Sequence, residues 1–96
     1  MLARFKAAAV HAAPVFLDSQ ATTEKAISIM REAARAGAEL IAFPETYIPA
    51  FPVWAALWPP IDNHDLFVRM AAQSVSADGP EVARLCAEAR ALGVTV

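Results

Sequence analysis

The residue best placed to do chemistry in this chain is Glu45. It follows the short apolar run Leu40-Ile41-Ala42-Phe43 and a proline, Pro44, with Gly37 bounding the run on the other side. A run of that length between such breakers reads as a buried strand. Open α/β folds bind ligands just outside the carboxyl ends of their strands. Glu45 therefore stands where such folds put their working groups. A carboxyl group partly buried there has its pKa raised by desolvation, which suits a general base. The plainer reading is a solvated glutamate that ends a strand.

Few other side chains compete with it. Cys86 lies on a helical stripe with Val82, Leu85 and Ala89, so it reads as a small core residue whose thiol is inert. Lys6 falls in a first strand, and Lys25 on the polar side of a helix. His11 reads as a buried, hydrogen-bonded histidine near a strand end, with a supporting role beside Glu45 as the sharper option. His64 falls at a helix start and reads as exposed. Two histidines so placed make no metal site.

The elements that position Glu45 follow from periodicity and punctuation. Phe5 to Ala13 is apolar on both faces of a period-2 pattern, as in a strand covered on both sides. Pro14 ends it. Asp18 or Ser19 caps a helix from about Gln20 to Ala36, with Ala26, Ile27, Met30, Ala33 and Ala34 as its apolar stripe. Gly37 suits the left-handed turn that closes it. Residues 46 to 62 form a Pro- and aromatic-rich connection, and a loop this long inside a compact domain is usually functional. Pro52 opens a short helix there, Pro59-Pro60 ends it, and Trp54 and Trp58 share one face. Asp62 or Asn63 caps the next helix, with Leu66, Phe67, Met70 and Ala71 as its buried stripe. Gly79-Pro80-Glu81 starts a third, Gly93 closes it, and Val94-Thr95-Val96 begins a strand.

Composition sets the bounds. The chain has 96 residues, 57% of them hydrophobic, so at most one small domain is present. A mean hydropathy of +0.40 is high for so small a unit and fits part of a larger or oligomeric protein. The net charge of −2 supplies no basic patch and no reason to expect nucleic acid as a partner. The single cysteine excludes an internal disulfide and fits a reducing, cytoplasmic setting. Arg4, Lys6 and the apolar run to Leu17 outline a signal peptide, but His11 and Pro14 interrupt the run and Asp18 adjoins the supposed cleavage site. No stretch reaches the roughly 18 apolar residues of a membrane span.

The segment Ala42-Phe43-Pro44-Glu45-Thr46-Tyr47-Ile48-Pro49-Ala50-Phe51-Pro52-Val53-Trp54 resembles the first signature of the nitrilase, or carbon–nitrogen hydrolase, superfamily. More narrowly it is similar to the true nitrilase branch, with Phe-Pro-Glu-Thr followed by the Pro-x-aromatic-Pro extension. Phe5 to Leu17 looks like the family's first strand, Gly37 to Glu45 like its second, and Gly93 to Val96 like the start of its third. Two positions depart from relatives: His11 stands where many carry Gln, and Ala50 where Gly is common.

The resemblance implies an α/β fold, the N-terminal portion of the nitrilase-type α-β-β-α four-layer sandwich, with residues 1–96 forming the first part of a single domain about three times longer. It implies hydrolysis of an organic nitrile to a carboxylic acid and ammonia by Cys, Glu and Lys, with Glu45 as the general base and no cofactor or metal. The Cys and Lys motifs would lie beyond Val96, so the 96-residue chain alone is expected to be inactive. Thr46, Tyr47 and Trp54, with Phe51 and Trp58, are the candidate substrate wall. The implied partners are a small-molecule nitrile and further copies of the chain, as a dimer or spiral, with neither nucleic acid nor membrane. An amidase, a carbamoylase or a cyanide-degrading enzyme of the same superfamily is the first rival. A small non-catalytic α/β binding module is the second, although binding modules of the acid-pocket type cluster carboxylates and Glu45 stands alone.

Overall fold

The structure is a computed structural model that describes residues 3–96. Met1 and Leu2, the first residues of the domain expected over 1–96, lie outside the described residues. The element order is β1 (Ala7–Ala9), α1 (Ser19–Arg35), β2 (Leu40–Ala42), α2 (Trp54–Leu57), α3 (Pro60–Gln73) and α4 (Pro80–Leu92). The strands β1 and β2 pair in parallel, Ala8 opposite Ile41, with α1 as the crossover. Thr95 adds a parallel bridge to Leu40 on the other edge of β2, with the Ile41 amide donating to the Thr95 carbonyl at 2.8 Å.

The helix α1 forms where its caps and stripe predict. Asp18 is extended and its Oδ1 accepts from the Ala21 amide at 2.9 Å, satisfying one of the free donors of the first turn. At the other end Gly37 takes φ +92°, its amide donates to Ala34, and the Ala38 amide donates to Ala33. Those are the two bonds of a Schellman turn. The same pair ends α4, where Gly93 takes φ +68° and the amides of Gly93 and Val94 donate to Arg90 and Ala89.

The core lies between one sheet face and the pair α1–α4. Met30 and Ile41 are fully buried, and Ile27 and Ala38 nearly so. Ala8, Val10, Phe43, Leu85, Leu92 and Val94 pack around them. Each large aliphatic side chain buried there contributes about 1.5–3 kcal/mol. Arg31 of α1 and Glu88 of α4 close the helix pair with two bonds, 2.6 Å and 3.1 Å.

Several sequence expectations are corrected. The first strand is only Ala7–Ala9, and one face of it is covered: Ala8 is half-buried while Ala7 and Ala9 are exposed. The alanines alternate with the pleat, so only the face toward α1 finds partners in this chain. Pro60 does not end α2; it opens α3 at a first-turn position, where its fixed φ and missing N–H cost nothing. Pro59, not Asp62 or Asn63, is the cap residue. The stripe Leu66, Phe67, Met70 and Ala71 is half-buried to exposed, and Asn63 is the one buried residue of α3. Trp54 and Trp58 do not share a face: Trp54 is buried, while Trp58 turns to extended backbone after α2 and is exposed.

Candidate functional site

Glu45 lies three residues beyond Ala42, the last residue of β2, at the carboxyl end of the parallel sheet. It is exposed, so the desolvation expected for its carboxyl group is not supplied by the described residues. Beyond Pro44 the backbone turns sharply. Thr46 takes φ +50°, an uncommon value for a β-branched residue, which places strain directly beside Glu45. Thr46 is exposed with it. The turn is held from both sides by aromatic rings, Phe43 and Tyr47, whose centroids are 5.1 Å apart.

Tyr47 is buried and its Oη donates to the Ala13 carbonyl at 3.2 Å. Burial pushes its phenol above the ordinary tyrosine value. The same Ala13 carbonyl accepts from Lys25 Nζ at 2.6 Å, so this exposed lysine has a structural bond that the sequence does not announce. The Leu17 amide donates to the Pro49 carbonyl at 3.2 Å, tying the loop to the segment after β1 a second time.

Trp54 is buried between two rings, Phe16 at 5.7 Å and Phe67 at 5.8 Å, both edge-on. Its indole N–H is buried with no acceptor among the described residues. The aromatics therefore divide into two groups. Tyr47 and Trp54 set the path of the loop from within, while Phe51 and Trp58 are more than half exposed.

Two expectations about other reactive groups are corrected. His11 is exposed and flanks a shallow groove beside α1 with Val10, Ile29 and Glu32. It is not buried, because the strand ends at Ala9 and nothing in the described chain covers that edge. Cys86 is exposed as well, on a shallow apolar groove with Val82, Leu85, Ala89 and Val96. The stripe is real, but its Leu85–Ala89 side faces α1 while Cys86 falls on its outer flank. Among the described residues no three His, Cys, Asp or Glu side chains gather as a metal site, and no helix is long and apolar enough to cross a membrane.

Sequence reasoning missed the polar groups that fasten the loop. Asn63 is 1% exposed and its Nδ2 donates to the carbonyls of Trp54 and Trp58. Thr22 is fully buried and exchanges two bonds with Val15, at 2.9 and 3.0 Å. Gln73 Oε1 accepts from both the amide and the hydroxyl of Ser19, joining the end of α3 to the start of α1. Polar residues at helix starts read as caps, which hides such long-range roles.

Comparison with known proteins places this geometry. The carbon-nitrogen hydrolase family model matches residues 6–96. A nitrilase of Pseudomonas syringae pv. syringae strain B728a is 48% identical over 91 residues, 95% of this chain and 27% of that protein. An aliphatic nitrilase of Rhodococcus rhodochrous is 43% identical over 93 residues, 96% of this chain and 25% of that protein. A cyanide hydratase of Armillaria gallica is 41% identical over 86 residues, 84% of this chain and 23% of that protein. The chain thus spans about a quarter of the length of the curated relatives it matches. Its helices and small parallel sheet are consistent with the N-terminal part of the α/β nitrilase fold, and the chain belongs to the carbon-nitrogen hydrolase family.

Proposed function

We propose that this chain is the N-terminal part of a longer nitrilase that converts an organic nitrile and two waters to a carboxylic acid and ammonia. The observation that carries the reading is Glu45, exposed at the end of β2 on a strained turn, within a family match over residues 6–96. In this reading a Cys thiolate supplied by the remainder of the protein attacks the nitrile carbon. Glu45 takes the thiol proton and passes it to the nitrogen, giving a thioimidate; a first water adds to its carbon and ammonia leaves, and a second water, activated by Glu45, cleaves the thioester to release the acid and restore the thiol. A Lys stabilises the negative charge that develops on the nitrogen. No cofactor takes part.

Thr46, exposed beside Glu45, is the wall residue with open access to substrate. Tyr47 and Trp54 shape the wall through the loop they anchor. A homo-oligomer belongs to the same reading, and the exposed apolar side chains Phe51, Leu57, Trp58 and Ile61 offer surface for the remainder of the protein or for a further copy to cover. A cytoplasmic setting accords with the single free cysteine.

The cyanide hydratase relative favours a second reading, in which the product is an amide and no ammonia leaves. Ammonia and amide measured from one nitrile, with the matching amide assayed in parallel, separate the two. Ammonia from the nitrile supports nitrilase; amide accumulation supports the hydratase; turnover of the amide alone makes the protein an amidase.

A further inference from the structure

We propose that Asn63 is a positioning residue that latches the substrate wall, acting on substrate binding through the turn it holds. Its Nδ2 donates to the Trp58 carbonyl at 2.9 Å and to the Trp54 carbonyl at 3.3 Å. One carboxamide on α3 thereby holds both ends of the four-residue helix α2. Both partners are carbonyls, so the donor nitrogen must face them and the amide orientation is fixed.

The energetics argue against a purely stabilising role. Asn63 is 1% exposed, and its Oδ1 is buried with no donor among the described residues. A buried amide that leaves one atom unpaired is a costly way to fill space, and an apolar side chain would fill it better. What the amide supplies is a defined geometry. Helix α2 is too short to hold its own shape in water. Its one buried side chain, Trp54, is fixed by Phe16 and Phe67, and among the described residues its exit at Trp58 is held by Asn63 and by its own backbone turn.

The latch lies apart from the reacting carboxylate. Glu45 is carried by β2 and the Phe43–Tyr47 ring pair, neither of which touches Asn63 through any bond described above. Loss of the latch should therefore weaken binding of ground state and transition state alike, which raises KM and spares kcat.

The inference rests on the nitrilase reading for its kinetic arm alone. In the full-length protein, Asn63→Ala and the milder Asn63→Ser are compared with wild type on aliphatic and aromatic nitriles. Separately, acrylamide quenching of Trp54 emission is followed in a background in which every other tryptophan of the full-length protein, Trp58 included, is replaced by Phe. The expected result is a KM raised about tenfold with kcat within about threefold, and greater quenching of Trp54 in the Asn63 variants. An unchanged KM, or a fall in kcat alone, overturns the proposal. If Asn63→Ala does not fold, Asn63→Ser decides by the same readouts. If wild type hydrolyses no nitrile, the functional reading fails and the latch stands or falls on quenching, which must rise for it to survive.

Discussion

Phe43 and Tyr47 pack ring against ring, 5.1 Å between centroids and tilted by 45°, across the turn that carries Glu45. Phe43 reaches down into the core around Ile41, while Tyr47 reaches sideways to the carbonyl of Ala13. The carboxylate is thus exposed, yet its two flanking anchors are fixed to different parts of the fold. For the base proposed above such bracing matters, because a misplacement of about 1 Å can cost on the order of 10²-fold in rate.

Tyr47→Phe keeps the ring contact and deletes one hydrogen bond. Lys25 still satisfies the Ala13 carbonyl, so the cost should be about 0.5–1.5 kcal/mol rather than that of a buried orphan. The pH dependence gives a second check. Burial raises the folded-state pKa of Tyr47 above its ordinary value of 10.0. Its contribution to stability is therefore complete below that ordinary value and is lost as pH rises through the raised one. Thermal unfolding of the full-length protein should show an alkaline loss of stability in wild type that is smaller in Tyr47→Phe. An identical alkaline profile in the two proteins contradicts the burial of Tyr47.

The Arg31–Glu88 pair titrates at the opposite end of the scale. Hydrogen bonding from Arg31 holds the Glu88 carboxyl below its usual value of 4.5, against a smaller opposing effect of burial. A depressed carboxylate stabilises the fold above the unfolded value and ceases to do so as pH falls through the folded one. Glu88→Gln should lower amide protection in α1 and α4 at neutral pH, and the difference from wild type should close in acid, below about 4.5. Hydrogen exchange on peptides from the two helices reads this directly. A deficit that persists unchanged into strong acid would show that Glu88 acts by packing, not by charge.

The helix α1 was fully legible, because its cap, stripe and terminal glycine all act within the helix itself. The Leu40–Phe43 strand and the place of Glu45 were legible for a similar reason: the run is bounded by a glycine and a proline. What could not be read were features set by tertiary contact. The extent of β1 depends on a partner of only three residues. The exposure of Cys86 and His11 depends on which surfaces a second element reaches. A period-3.6 stripe says that one face is apolar, not that something covers it. Asn63 looked like a cap because polar residues after prolines usually are, and its bonds to Trp54 and Trp58 follow from how α2 folds back on α3.

Cys86→Ser tests the rival nucleophile. Its sulfur lies on an open apolar groove with Val82 and Leu85, on the outer flank of α4. Among the described residues no hydrogen bond or ion pair joins it to a base that could take its proton. The substitution should leave kcat for nitrile hydrolysis in the full-length protein within about twofold and cost at most about 1 kcal/mol of stability. Activity lost from a folded, correctly assembled variant would make Cys86 a working residue and displace the mechanism given above.

Glu45→Gln bears on the centre of the reading. It keeps the length and the hydrogen-bonding reach of the side chain and cannot accept a proton. Thermal unfolding of the variant, measured beside its activity, separates a loss of chemistry from a loss of fold. In the full-length enzyme kcat should fall by about 10²–10⁴-fold while KM moves little. Glu45→Asp should fail too, since one missing methylene withdraws the carboxylate by about 1 Å and the braced turn cannot follow it. The pairing with Asn63→Ala is informative: one variant should act on kcat and the other on KM, from positions fixed by separate contacts. A folded Glu45→Gln enzyme with near-normal kcat would reduce Glu45 to a strand-end residue and move the search for the base elsewhere in the protein.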